Sequence, residues 1–205
     1  MNELQKDFPL DLVQEIDRLW HPVYPYLAEE ISQLYGRQDG TVLEMGPFCG
    51  VIFYLIKKGI GNSFMMATFP SGMGQFFHKE AQKLGALHKV RILETNPSLQ
   101  AVKEQRIDLL IFRGAFFFPS LFEVNYTAID RVLKRDGMAL IGGGFGRRTP
   151  EEIRKRISEK SKTLNLQIGK VVVSQEKIRE EIEKSCFEGR VELISEGGLW
   201  VLLKK

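Results

Sequence analysis

Between Thr41 and Ile141 short apolar runs alternate with segments of helical spacing, and few architectures accommodate that alternation. Thr41 to Met45, Ser63 to Thr68, Lys89 to Glu94, Asp108 to Phe112 and Gly137 to Ile141 read as strands. Val51 to Lys58, Gly72 to Leu84 and roughly Leu121 to Leu133 read as helices, the first two stopped by Gly59 and Gly85. Asn96-Pro97 has the form of an N-cap followed by proline at the first position of a further helix. Strands and helices in this succession predict a parallel sheet covered on both faces. Asp108 to Phe112, apolar after its first residue, belongs in the middle of it. Val191 to Ser195 and Leu199 to Leu203 are separated by Glu196-Gly-Gly198 and should close the chain as an antiparallel hairpin.

Outside that run, Leu10 to Trp20 places Leu12, Val13, Ile16, Leu19 and Trp20 at helical spacing, and a second helix runs from near Pro25 to Tyr35, ended by Gly36. The division expected is a helical segment over residues 1–38 ahead of a main domain over 39–205. Thr149-Pro150-Glu151-Glu152 reads as a capping box opening a helix to about Thr163. Residues 164–174 read as a loop or a short strand, and Gln175 to Lys184 as a charged helix.

The length of 205 residues suits one domain with a sizeable core. Net charge is +3 with both signs mixed, so no nucleic-acid partner is expected. The densest basic stretch, Arg147-Arg148 and Arg154-Lys155-Arg156, is broken by Glu151 and Glu152 and reads as a solvated helix face. No apolar run approaches the roughly 18 residues of a membrane span, so no membrane partner is expected. Met1 to Pro9 carries Glu3, Lys6 and Asp7 and reads as no secretory leader. Cys49 and Cys186 are too few for a disulfide framework, which points to the cytoplasm. The three histidines and two cysteines show no metal-ligand spacing. Oligomeric state is not legible.

Four segments carry a family likeness. Val42-Leu-Glu-Met-Gly-Pro-Phe-Cys-Gly50 is a strand ending in an acid and then a glycine-bearing turn. It resembles the first motif of the class I S-adenosylmethionine-dependent methyltransferases. Arg106-Ile-Asp-Leu-Leu-Ile-Phe-Arg-Gly-Ala115 resembles their fourth-strand motif. Ile129-Asp-Arg-Val-Leu-Lys-Arg-Asp-Gly-Met138 and Leu199-Trp-Val-Leu-Leu-Lys-Lys205 resemble the approach to the fifth strand and the last strand. The likeness spans about residues 22–205. It implies a three-layer, Rossmann-like, seven-stranded sheet, mostly parallel, with an antiparallel C-terminal hairpin whose last strand alone runs against the others.

The resemblance also implies S-adenosylmethionine as cofactor, bound by Glu44, Gly46, Pro47, Phe48, Gly50, Thr68, Phe69, Asn96, Arg113 and Gly114. On physical grounds, ligands of parallel sheets sit at the strand carboxyl ends where the chain order reverses, and Gly46 and Gly50 let backbone approach closely there. Glu44 either faces the ligand or caps the turn. Asn96 either reads an adenine or caps a helix, and Arg113 either anchors an anion or pairs with a nearby acid. Met73 reads as helix core rather than a flank of adenine, and Cys49 as a buried, inert thiol. Two residues depart from the family pattern: Phe48 stands where a third glycine is usual, and Thr68 stands where an acid usually holds the ribose. A hydroxyl lacks the charge-assisted strength of a carboxylate.

The resemblance implies that the helical segment over residues 1–38 acts as a lid on an S-adenosylmethionine-binding domain over 39–205, and Tyr24, Tyr26 and Phe116, with His21 nearby, are candidates for a substrate wall or for ordinary core. Gly142-Gly-Gly-Phe-Gly146 lacks the Lys-Ser/Thr of a phosphate loop and reads as a close chain pass beside the site mouth. The implied activity is methyl transfer to a small-molecule acceptor, with no catalytic dyad visible. That absence suits a reaction resting on proximity and desolvation. Phe48 and Thr68 motivate the alternative of a non-catalytic, methyltransferase-like binding module. A nicotinamide enzyme is disfavoured, because no acid follows the glycines at the ribose position.

Overall fold

A computed structural model describes residues 9–185, 187 and 189–205. The expectation of no leader at the N-terminus falls mostly outside these residues, as does the one concerning Cys186. Seven strands form one sheet in the order β3-β2-β1-β4-β5-β7-β6. They are β1 (Thr41–Met45), β2 (Ser63–Thr68), β3 (Val90–Glu94), β4 (Ile107–Arg113), β5 (Leu133–Gly144), β6 (Arg190–Ile194) and β7 (Gly198–Lys204). Pairing is parallel from β3 through β5, and β7 runs antiparallel to both β5 and β6. The expected sheet, with its last strand alone reversed, is the one observed.

Among the described residues seven α-helices accompany the sheet: α1 (Leu10–Trp20), α2 (Tyr24–Tyr35), α3 (Val51–Lys58), α4 (Met73–Lys83), α5 (Tyr126–Val132), α6 (Glu151–Ile168) and α7 (Gln175–Lys184). One turn of 3₁₀ helix, His21–Val23, joins α1 to α2. α2 packs on α3, and α1 lies against α4 and α6. Every residue of β4 is buried, Asp108 and Arg113 included. Asp108 joins three elements at the amino end of the sheet: it accepts from the Thr41 amide at 2.8 Å, from Lys134 at 2.6 Å and from Arg37 at 3.4 Å. Burial opposes its charge, but these donors outweigh burial and hold its carboxyl below the usual range.

Four local readings need correction. No helix follows Asn96: its side chain accepts the Ser98 amide at 3.0 Å, but Leu99 turns to a φ of 51°. Arg131 then takes the carbonyls of Ser98, Leu99 and Val102 out of any helical ladder. α5 begins at Tyr126 rather than near Leu121, because Asn125 caps it through the Ala128 amide at 2.8 Å. Thr149 forms no capping box; its hydroxyl donates back to the Phe145 carbonyl. α6 runs five residues past Thr163, to Ile168, because Ile157, Ser161, Asn165 and Ile168 continue one buried stripe.

The join of β5 to β7 depends on the absence of side chains. A β-carbon on Gly142 would lie 2.2 Å from the Leu199 carbonyl oxygen, and one on Gly144 would lie 2.3 Å from the Gly198 Cα. Gly85, at φ 65°, has open space around it. Gly85→Ala should therefore cost only the left-handed penalty of about 1–2 kcal/mol. Gly142→Ala should cost more by at least about 2 kcal/mol, since backbone must separate as well. Urea denaturation of the two variants measures the difference, and equal losses would mean the β5–β7 approach is soft.

Candidate functional site at the carboxyl ends of β4 and β5

Glu44, fully buried near the end of β1, reaches over the following turn to α3. Its carboxylate accepts the amides of Gly50 at 2.8 Å, Val51 at 3.3 Å and Ile52 at 2.9 Å. Of its two readings, the structure shows the capping one. Burial pushes its pKa up to about 7, against the two closest amides and the Arg113 charge. The turn it holds, Gly46 to Gly50, is buried throughout, Pro47 included. A β-carbon on Gly46 would lie 2.9 Å from the Phe112 ring, and one on Gly50 would lie 2.7 Å from the Tyr24 ring. The close approach permitted by these glycines is thus to the protein's own aromatic side chains. Cys49 donates to the Gly46 carbonyl at 3.3 Å, and burial pushes its thiol well above the usual range.

The space beside β1 and β2 is filled. Phe69, Phe112 and Phe122 are buried and meet pairwise with centroids 5.2–5.9 Å apart. The Thr68 hydroxyl, at the end of β2, donates to the Leu93 carbonyl at 3.3 Å. Glu94, at the end of β3, accepts the amides of Gly72 and Gly74 at 3.0 and 3.1 Å and so anchors the start of α4. Asn96 is occupied by its own turn, and Met73 is wholly buried core.

Across the switch point between β1 and β4 the sheet opens instead. A cavity of about 700 Å³ lies at the ends of β4, β5 and the start of β7, within the range of small-molecule sites. Of the expected site residues it brings together Tyr24, Phe48, Arg113 and Gly114. Glu44, Gly46, Pro47, Gly50, Thr68, Phe69, Asn96, Tyr26 and Phe116 do not line it. Phe48 packs on Phe118 with centroids 5.0 Å apart, and the pair forms the wall nearest the turn. A β-carbon on Gly114 would touch both rings.

The cavity's polar floor comes from α1 and β4. Arg113 is buried, donates to the Phe48 carbonyl at 3.1 Å, and stacks 4.5 Å from the Tyr24 ring centroid and 5.3 Å from that of Trp20. Its Nε has no hydrogen-bond partner. Asp17 accepts from the Tyr24 hydroxyl at 2.5 Å and faces His21 at 3.3 Å. Burial raises its carboxyl above the ordinary value despite these contacts. Trp20 stacks on Phe145 at 4.7 Å, and Gly143 and Gly144 complete the edge, so the glycine run does pass beside the mouth.

Sequence reasoning missed Asp17 and the α6 side of the cavity. Arg154, Ser158, Ser161, Lys162 and Asn165 line it from successive turns of α6, which corrects the reading of Arg154 as part of a solvated face. The available signal was Ser161 and Asn165 at polar positions within the apolar stripe of that helix. Among the described residues no group of three acidic, histidine or cysteine side chains is placed to hold a metal, and no helix is long and apolar enough to cross a membrane.

The strand order, the reversed β7 and the acid-then-glycine turn at the switch point define the fold of the class I S-adenosylmethionine-dependent methyltransferases. No family model and no curated protein matches the sequence. Among solved structures, one from Methanococcus maripaludis, provisionally described as an S-adenosyl-L-methionine-dependent methyltransferase, aligns with a TM-score of 0.78 and 24% identity. That alignment covers 100% of this chain and 97% of that one. A SAM-dependent methyltransferase from Aquifex aeolicus aligns at 0.62 and 18%, over 97% and 98%. The geranyl diphosphate C-methyltransferase of Streptomyces coelicolor aligns at 0.59 and 13%, over 87% and 74%. At these identities the likeness is one of fold.

The Glu44 contacts carry a measurable pH dependence. An unfolded chain releases this proton near the ordinary 4.5, whereas the native state holds it to about 7. Stability from this group is therefore fully present below pH 4.5 and is lost as pH rises through 7. Glu44→Gln keeps an acceptor for the α3 amides and has no proton to lose. The parent's decline in stability between pH 5 and pH 8 should shrink in this variant, by at most about 3 kcal/mol at 1.36 kcal/mol per unit. Urea melts at both pH values check this, and an unchanged slope would remove Glu44 from the titrating groups.

Proposed function

We propose that the chain is an S-adenosylmethionine-dependent methyltransferase with a small-molecule acceptor, the acceptor lying in the cavity over β4 and β5. The observation that carries this reading is the position of the cavity. It opens at the carboxyl ends of the strands, one strand from the acid-then-glycine turn, in the fold that the methyltransferases above share. The cavity side suits the cofactor, since Phe48 and Gly114 meet open space there, while the free Arg113 donor is left for the acceptor. The β1–β2 side does not, because Phe69, Phe112 and Phe122 fill it. Glu44, Gly46, Pro47 and Gly50 build the turn that carries Phe48, while Thr68, Phe69 and Asn96 join the cofactor's contacts only if the Phe69 ring leaves the cluster.

In this reading residues 1–38 act as the lid over domain 39–205: Asp17, Trp20 and Tyr24, from α1 and the start of α2, close the cavity. Tyr24 then belongs to the substrate wall, and Phe117 and Phe118 take the place expected for Phe116. Cys49, a free and buried thiol, suits the cytoplasm. The filled β1–β2 side favours a second reading, a methyltransferase-fold binding module that holds its ligand in the cavity without transferring a methyl group.

Calorimetry with S-adenosylmethionine and S-adenosylhomocysteine tests the cofactor, and cofactor binding without turnover would favour the binding module. Both should bind the parent, and Phe69→Leu, which makes room beside Gly46, should tighten them several-fold. If neither compound binds the parent or Phe69→Leu, the methyltransferase reading is wrong and the binding-module reading stands.

A further inference from the structure

Five charged side chains line the cavity, and four of them are cationic: Arg113, Arg154, Lys162 and Lys170 against Asp17. Among the described residues none of the four cations has a carboxylate within ion-pair distance. Arg113 and Arg154 share a more specific feature. Each has a buried Nε without any hydrogen-bond partner, although buried donors in native proteins are nearly always satisfied. For Arg113 the want is acute, since the whole residue is only 6% exposed. The acid on this floor does not supply the missing partner: Asp17 is held by the Tyr24 hydroxyl and His21.

Away from the polar face of α6 the remaining walls are apolar. Trp20, Phe117, Phe118 and Phe145 come from three different stretches of chain, and Leu199 and Val173 line the cavity with them. A guanidinium stacked on Tyr24 keeps its edge free, and that edge matches the geometry of a carboxylate or phosphate. We infer that the acceptor is an anionic, largely apolar molecule, its carboxylate or phosphate held between Arg113 and Arg154 and its hydrocarbon or aromatic body set against the phenylalanine wall. Lys162 and Lys170, nearer solvent, add attraction for the same charge without fixing its position. This inference rests on the cavity being the acceptor site of the proposed function.

Matched probes test it: 1-naphthylacetate and 1-naphthyl phosphate as anions, 2-(1-naphthyl)ethanol as the neutral analogue and 2-(1-naphthyl)ethylamine as the cation. Dissociation constants are measured by calorimetry on the full chain, with and without saturating S-adenosylhomocysteine. At least one anion should bind tenfold or more tightly than the alcohol, and the amine should bind worst; which anion prevails separates carboxylate from phosphate acceptors. Arg113→Gln should abolish that preference and leave alcohol binding nearly unchanged. Arg154→Gln, on a more accessible helix position, should reduce the preference several-fold and covers the case in which the buried variant does not fold. Equal affinities across the probes overturn the inference, and so does an anion preference that survives Arg154→Gln and, where it folds, Arg113→Gln. Competitive loss of the anion on adding S-adenosylhomocysteine also overturns it, because Arg113 would then serve the cofactor. Anion binding in a chain that binds neither S-adenosylmethionine nor its product leaves the cavity chemistry standing and removes only the methyl-transfer reading.

Discussion

The capping of α3 by the Glu44 carboxylate governs the geometry of everything downstream of β1. A carboxyl group inside the protein is costly unless its oxygens are satisfied, and here three successive amides at the start of α3 meet it. Those contacts fix where the strand ends and where the helix begins, so the turn between them has little freedom. Phe48 is held against Phe118, and its carbonyl receives the Arg113 guanidinium. One buried acid thus sets the cavity wall and, through that carbonyl, the position of the most buried cation on the floor.

The same turn divides the carboxyl edge of the sheet into unlike halves. On the β1–β2 side, Phe69, Phe112 and Phe122 form an edge-to-face and tilted cluster of the kind aromatic side chains favour. The hydroxyl and amide groups there are engaged by the protein itself: Thr68 by Leu93, Asn96 by Ser98. On the β4–β5 side the polar groups are left with capacity, in Arg113 and Arg154. A ligand entering the first half must displace well-packed rings, whereas one entering the second meets open space and waiting donors. This energetic asymmetry, more than the presence of the motif, favours the β4–β5 side as the proposed site.

How much of this was legible follows from the range of the interactions involved. α1, α3, β1 and β2 begin and end where local periodicity and glycine placement put them, because each is specified within a few residues of itself. The segment after Asn96 failed because Arg131, more than thirty residues later, competes for its carbonyls. The same range limits what the sequence says of the candidate site. Phe69 and Phe122 come from two separate connections and Phe112 from β4, and nothing near Thr68 announces that these rings will meet beside it. Asp17 carries no signal of its own in the sequence, since Tyr24 meets it only across the turn between α1 and α2 and Arg113 only once α1 folds over the end of β4.

The cavity itself is a consequence of how β7 joins the sheet. Bringing an antiparallel strand against β5 at its carboxyl end requires Gly142 and Gly144 to face Leu199 and Gly198 without side chains. A stretch that must lack side chains for pairing also has none to fill the volume above it. That volume is bounded by elements arriving from elsewhere: α1, α6 and the Phe117–Phe118 turn. β5 and β7 supply bare backbone, β4 supplies Arg113, and α1, α6 and Lys170 just beyond α6 supply the rest of the charge. A change of ligand in such an arrangement needs substitutions on α6 and the turn and leaves the sheet intact, because the residues that pair β5 with β7 and those that line the α6 wall belong to different elements.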